Sequence, residues 1–113
     1  QQPDNAAFLD TRGYLLFKQG DYEAALVDLD KAIKGGELEY QMYRQEEKRS
    51  NPGRRMNMTR EQFANALKQM RESLGVMYHH RGEVYEALKR ADEAAAEKAR
   101  GIEYGYNPER GVF

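Results

Sequence analysis

Apolar side chains recur at intervals of three and four along most of the chain, the spacing that gathers them on one face of an α-helix. Phe8, Leu9, Leu15 and Leu16 predict a first helix over residues 5–19, ending at Gly20, a residue suited to the left-handed backbone that closes many helices. Asp21 is placed to accept hydrogen bonds from the free N–H groups of a second helix, whose stripe runs Tyr22, Ala25, Leu26, Leu29, Ala32, Ile33. From Leu26 and Leu29 a seam continues through Ile33, Gly36, Tyr40 and Tyr43, spaced 3-4-3-4-3. The Gly35-Gly36 pair costs this continuation about 2 kcal/mol of helix propensity relative to alanine, so a break there is an open alternative. Ser50-Asn51-Pro52-Gly53 is a loop signal, and Thr59 with Gln62 three residues later matches a capping box at the start of a further helix. Phe63, Leu67, Met70, Leu74 and Met77, spaced 4-3-4-3, predict one long helix over 60–89, with a bend at Gly75 left open. A tight turn through Arg90 and Ala91 leads to an Ala-rich helix from Asp92 to about 104, closed by Gly105 and Asn107-Pro108. The three prolines, Pro3, Pro52 and Pro108, leave everything between them free to be helical.

A second pattern overlies the periodicity. Leu9, Arg12, Gly13, Leu16, Ala25, Ile33 and Gly36 superpose without a gap on Tyr78, Arg81, Gly82, Tyr85, Ala94, Ile102 and Gly105, 69 positions later. One helix-turn-helix unit used twice is the simplest reading, and such repeats usually build interaction surfaces.

These residues resemble the tetratricopeptide repeat, whose pattern is W-x2-L-G-x2-Y, then A-x3-F, then P. In the first copy Gly13 takes the small position where paired helices touch, Leu9 and Leu16 the large positions beside it, and residues 18–22 the turn. Ala25, Leu29 and Ala32 then sit where the second helix packs back, and Gly35-Gly36 replaces the Pro. The second copy keeps Tyr78, Gly82, Tyr85 and Ala94 but has Lys98 where a large apolar residue is expected and Gly101 where Ala is usual, as a terminal repeat facing solvent would. Arg12 and Arg81 stand where Leu is expected, as in many bacterial repeats of this type. Together the copies cover roughly 65 residues.

The resemblance implies an all-α fold of antiparallel helix pairs, a fragment of a right-handed α-α superhelix. Because 69 residues is close to two repeat lengths, a degenerate third unit between the copies is one reading. The favoured one lengthens two helices into a central hairpin, since a helix over 60–89 leaves no room for a complete extra pair. The expected single domain, 1–113, then has repeat one at about 5–36, an arm at about 37–74 with the 50–58 loop at its tip, and repeat two at about 75–108.

Composition narrows the function classes. At 113 residues one domain is expected, and 18 basic against 19 acidic side chains give no whole-protein field for nucleic acid or membrane. Without Cys there is no disulfide framework or thiolate metal site, which fits cytosol and periplasm alike. No apolar run approaches the roughly 18 residues of a membrane span. A start at Gln1 reads as a processed form or, preferably, a fragment of a larger protein.

In the family the first helix of each repeat lines the concave face, where peptides or partner helices bind. By the pattern those positions are Ala7, Asp10, Tyr14, Phe17 and Lys18, then Val76, His79, Glu83, Glu86 and Ala87. The implied surface is mildly acidic with aromatic anchors at Tyr14 and Phe17, suited to a segment with Lys or Arg beside an apolar residue. The alternative is that these aromatics pack against the arm or a neighbouring repeat. His79, Glu83 and Glu86 share a helix face, but three ligands from one helix rarely converge on an ion, so no metal or cofactor is expected. His79-His80 has no nucleophile or oxyanion motif beside it, and a non-catalytic module is expected. Lys48, Arg49, Arg54, Arg55 and Arg60 gather near the tip; with no interleaved aromatics they read as a solvated loop before a nucleic-acid contact. The remaining alternative is homodimerisation through the arm's apolar strip, Tyr40, Tyr43, Phe63 and Met70.

Overall fold

Asn5 opens the first helix: its side chain accepts the Phe8 N–H at 3.1 Å, covering an amide that the helix itself leaves unpaired. The computed structural model describes residues 5–110, so Pro3 lies outside them. α1 spans Ala6–Lys18, α2 Tyr22–Glu47, α3 Arg60–Ala87 and α4 Ala91–Glu103, with short 3-10 turns at Arg54–Met56 and Pro108–Arg110. α1 ends in a Schellman turn, in which Gly20 N–H reaches Phe17 O and Asp21 N–H reaches Leu16 O, each at 2.9 Å, while Gly20 takes φ 85°. Asp21 precedes α2 as expected but its side chain makes no capping bond; Glu23 in the first turn offsets the positive helix end instead.

No break occurs at the glycine pair. α2 passes through Gly35 and Gly36 because the second serves the packing: a Cβ on Gly36 would lie 2.9 Å from Leu74 Cδ2, so its absence lets α3 approach. α2 and α3 then run together as the long hairpin, closed by a stacked Tyr43–Phe63 pair with ring centroids 5.5 Å apart. At the tip the buried Glu46 carboxylate accepts the Gly53 N–H at 3.2 Å and pairs with Arg49 at 3.1 Å. Thr59 completes the expected capping box with Gln62.

α3 is likewise continuous through Gly75 and ends at Ala87, two residues short of the expected limit, so the turn into α4 occupies 88–90. α1 packs on α2, α2 on α3 and α3 on α4, and α1 also touches α3. One core cluster joins Leu9, Ile33, Tyr40, Leu74, Met77 and Tyr78; the other joins Ala25, Leu26, Leu29 and Val84. The molecule measures 47 × 31 × 22 Å, its long axis comparable with the roughly 42 Å of a 28-residue helix such as α3. Among the described residues no helix is long and apolar enough to cross a membrane.

Candidate interaction face

The contact between α1 and α3 centres on His80, fully buried, whose Nδ1 lies 2.8 Å from Asp10 Oδ1 and whose ring stacks on Tyr14 at 4.0 Å. His80 falls three residues after Met77 and four before Val84, on the apolar stripe of α3, which is the signal that separates it from its neighbour. This contact sets the first helices of the two pairs side by side. Around it, Phe17 lies 5.8 Å from both Tyr14 and Tyr22, and the Lys18 ammonium sits 5.2 Å from the Tyr14 ring centroid. Asp10, Tyr14 and Phe17 are half-buried and Lys18 is exposed.

On α3, His79 is covered by Tyr106 from the segment after α4, ring on ring at 4.1 Å, and its Nε2 stands 3.8 Å from Glu83. Burial holds the His79 imidazolium below its ordinary pKa against the opposing pull of Glu83. Glu86 is exposed and bonded to Lys98 at 2.8 Å, which lowers its pKa. Val76 and Ala87 are half-buried and Ala7 exposed. Thus Asp10 and Tyr14 meet across His80, His79 and Glu83 neighbour one another under Tyr106, and Glu86 turns toward α4. Tyr106, unlike His80 on its apolar stripe, does not stand out in a local reading of sequence.

A separate cluster fixes the base of the arm. Glu37 accepts the hydroxyls of Tyr78 and Tyr104, tying α2, α3 and the end of α4 together. Burial, reinforced by the Glu37 carboxylate, pushes the Tyr78 hydroxyl up to about 12. The five basic residues expected near the tip lie there, away from the α1–α3 face. Arg49 pairs with Glu46, Arg60 donates to the Ser50 carbonyl at 2.8 Å, and Lys48, Arg54 and Arg55 are exposed. Among the described residues no group of three His, Cys, Asp or Glu side chains is arranged to hold a metal ion.

The two helix pairs use the same contacts. Arg12 forks onto Asp28 at 2.7 and 2.9 Å, and Arg81 onto Glu97 at 3.0 Å through both nitrogens, each partner 16 residues downstream. A Cβ on Gly13 would meet the Leu29 side chain at 2.9 Å, and one on Gly82 would meet the Lys98 side chain at 2.8 Å. Residues 6–34 match the family model of the tetratricopeptide repeat. Over these residues the chain is similar to a tetratricopeptide repeat. No curated protein and no solved structure matches the chain. Tetratricopeptide repeats generally mediate protein–protein interaction, and they are typically non-catalytic. Within the repeat, Arg12 replaces a usual Leu yet keeps a fixed partner, so the departure adds an ion pair rather than removing packing.

Proposed function

We propose that the chain is a protein-interaction module that holds a peptide or partner helix on the face shared by α1 and α3, without chemistry of its own. In this reading two repeats, at about 5–36 and 75–108, are separated by the arm at 37–74. The observation that carries it is the Asp10–His80–Tyr14 contact, which makes one surface of the two first helices. Phe17 and Tyr14 supply partly exposed aromatic anchors, and Glu83, together with Glu86 where a partner's cation displaces Lys98 from it, supplies the acid that a segment with Lys or Arg beside an apolar residue would meet.

Selection of peptides from a random display library, followed by affinity measurement on Glu83→Lys/Glu86→Lys, tests the reading. Basic, apolar-anchored peptides that lose affinity about tenfold or more in the variant support it. An unchanged affinity, or no such peptides, counts against it.

A second reading, self-association, does not rest on the expected strip, in which Tyr40 and Phe63 are buried and Tyr43 stacks on Phe63, but on Leu38 and Met42 of α2, which are 67% and 62% exposed. Sedimentation velocity over rising concentration decides it: a dimer appears if it holds, and a monomer throughout sinks it.

A further inference from the structure

The arm carries a groove that neither the repeat pattern nor the concave face accounts for. Between α2 and α3, from the tip to the foot of α4, lies a cleft of about 500 Å³. Its floor is apolar, with Ala64 and Leu67 above the buried rings of Tyr40 and Phe63. Its rim is basic: Arg44, Arg60, Lys68 and Arg71 against Glu47 alone. Only Arg44 is neutralised locally, by that glutamate at 3.2 Å. Arg60 is held by the Ser50 carbonyl and Arg71 by the Glu103 carbonyl, neutral acceptors that fix each guanidinium in place while leaving its charge unmatched. Among the described residues, Arg60, Lys68 and Arg71 form no ion pair. The wider segment repeats the bias, since positions 48–71 hold seven basic residues and one acid, Glu61, in a chain whose net charge is -1.

We propose that this groove docks an acidic peptide segment carrying an apolar anchor. Its carboxylates meet Arg60, Lys68 and Arg71, and the anchor rests on Ala64 and Leu67. The helix rise between Arg60 and Arg71 gives a rim of about 17 Å, matching about five extended residues or three helical turns. A nucleic acid would share the charge preference, but it favours exposed ring faces for stacking, and Tyr40 and Phe63 are 6% and 2% exposed. The floor therefore suits an aliphatic or aromatic side chain better than a base.

The test is selection from a random twelve-residue peptide library displayed on phage, with binding of the recovered peptides followed by fluorescence anisotropy and by NMR of the labelled chain. The expected result is a class of acidic peptides with at least one large apolar residue, shifting Ala64 and Leu67. Its affinity falls about tenfold or more in Arg60→Glu/Lys68→Glu and is retained in Arg54→Glu/Arg55→Glu. Circular dichroism of both variants confirms that they fold, and Lys68→Glu alone, a single exposed substitution, repeats the comparison. Failure to recover acidic peptides, or equal binding to the groove variants, overturns the proposal. So does a twelve-nucleotide RNA that shifts the same groove residues and binds more tightly than every selected peptide. Peptides that depend on Glu83 and Glu86 report the concave face instead, so either surface can fail without the other.

Discussion

Lys89 holds the left-handed conformation, φ 64°, that Gly20 holds at φ 85° in the equivalent turn 69 residues earlier. A side chain in that region strains against its own backbone, whereas glycine does not, so Lys89→Gly is expected to raise stability by about 0.5–1 kcal/mol in urea denaturation. The duplicated arginines make a second comparison. Arg81, with 17% of its side chain exposed, bridges Asp30 and Glu97, while Arg12 is half exposed and meets Asp28. Replacing Arg81 by Met leaves Glu97 unpaired with 18% of its side chain exposed, and the same change at Arg12 leaves Asp28 unpaired with 6% exposed, so each should cost about 2–3 kcal/mol, the loss at Arg12 no smaller despite that arginine's own exposure; a loss at Arg12 well below that at Arg81 would contradict this. The repetition of Arg12 and Arg81 is plain in the sequence, but their partners are not. Glu37 with Tyr78 and Tyr104, and His80 with Asp10, join residues 41, 67 and 70 positions apart, a separation to which helical periodicity is blind. The concave positions are likewise placed by pattern, yet only the fold shows that Tyr106 covers His79.

The two long helices illustrate how local propensity and packing compete. Periodicity on both sides of the Ser50-Asn51-Pro52-Gly53 loop carries the hairpin, and the Thr59 capping box marks the start of α3. Whether α2 survives its glycine pair is undecidable locally, because the answer lies in Leu74, on the opposite helix. Glycines that look alike should therefore respond differently. Gly35 faces open space, and Gly35→Ala is expected to add about 1 kcal/mol by helix propensity alone. A Cβ on Gly75 would lie 2.8 Å from the Gly101 carbonyl, so Gly75→Ala should cost about 1–3 kcal/mol despite the same propensity gain; thermal unfolding of the two variants checks the contrast. The departure at Gly101 has the same origin, since that glycine and Gly75 let α3 and α4 touch backbone to backbone. Tyr78 gives the hairpin's base a pH signature. Its hydroxyl ionises near 10 in the unfolded chain and at about 12 in the folded one. Its stabilisation is therefore complete below pH 10 and is lost as pH rises through 12. Tyr78→Phe should flatten the fall in stability over that window, as followed by denaturant midpoints; an unchanged slope would show that Tyr78 does not carry it.

For the whole molecule, the arm separates two surfaces of different character. Around the α1–α3 contact lie the rings of Tyr14, Phe17 and His80, whereas the groove on the arm is rimmed by Arg60, Lys68 and Arg71. Whole-chain charge, at -1, conceals this division, because the acidic residues outside 48–71 cancel the basic ones within it. The central claim is that the first helices of both pairs, held together by Asp10, Tyr14 and His80, act as one receptor surface. Chemical-shift mapping of the labelled chain against the basic, apolar-anchored peptides tests it most directly. The account predicts joint perturbation of Tyr14, Phe17 and Lys18 on α1 and of Val76, Glu83 and Ala87 on α3, with a single affinity at all six. Perturbations confined to one of the two helices, or to the arm alone, would contradict it.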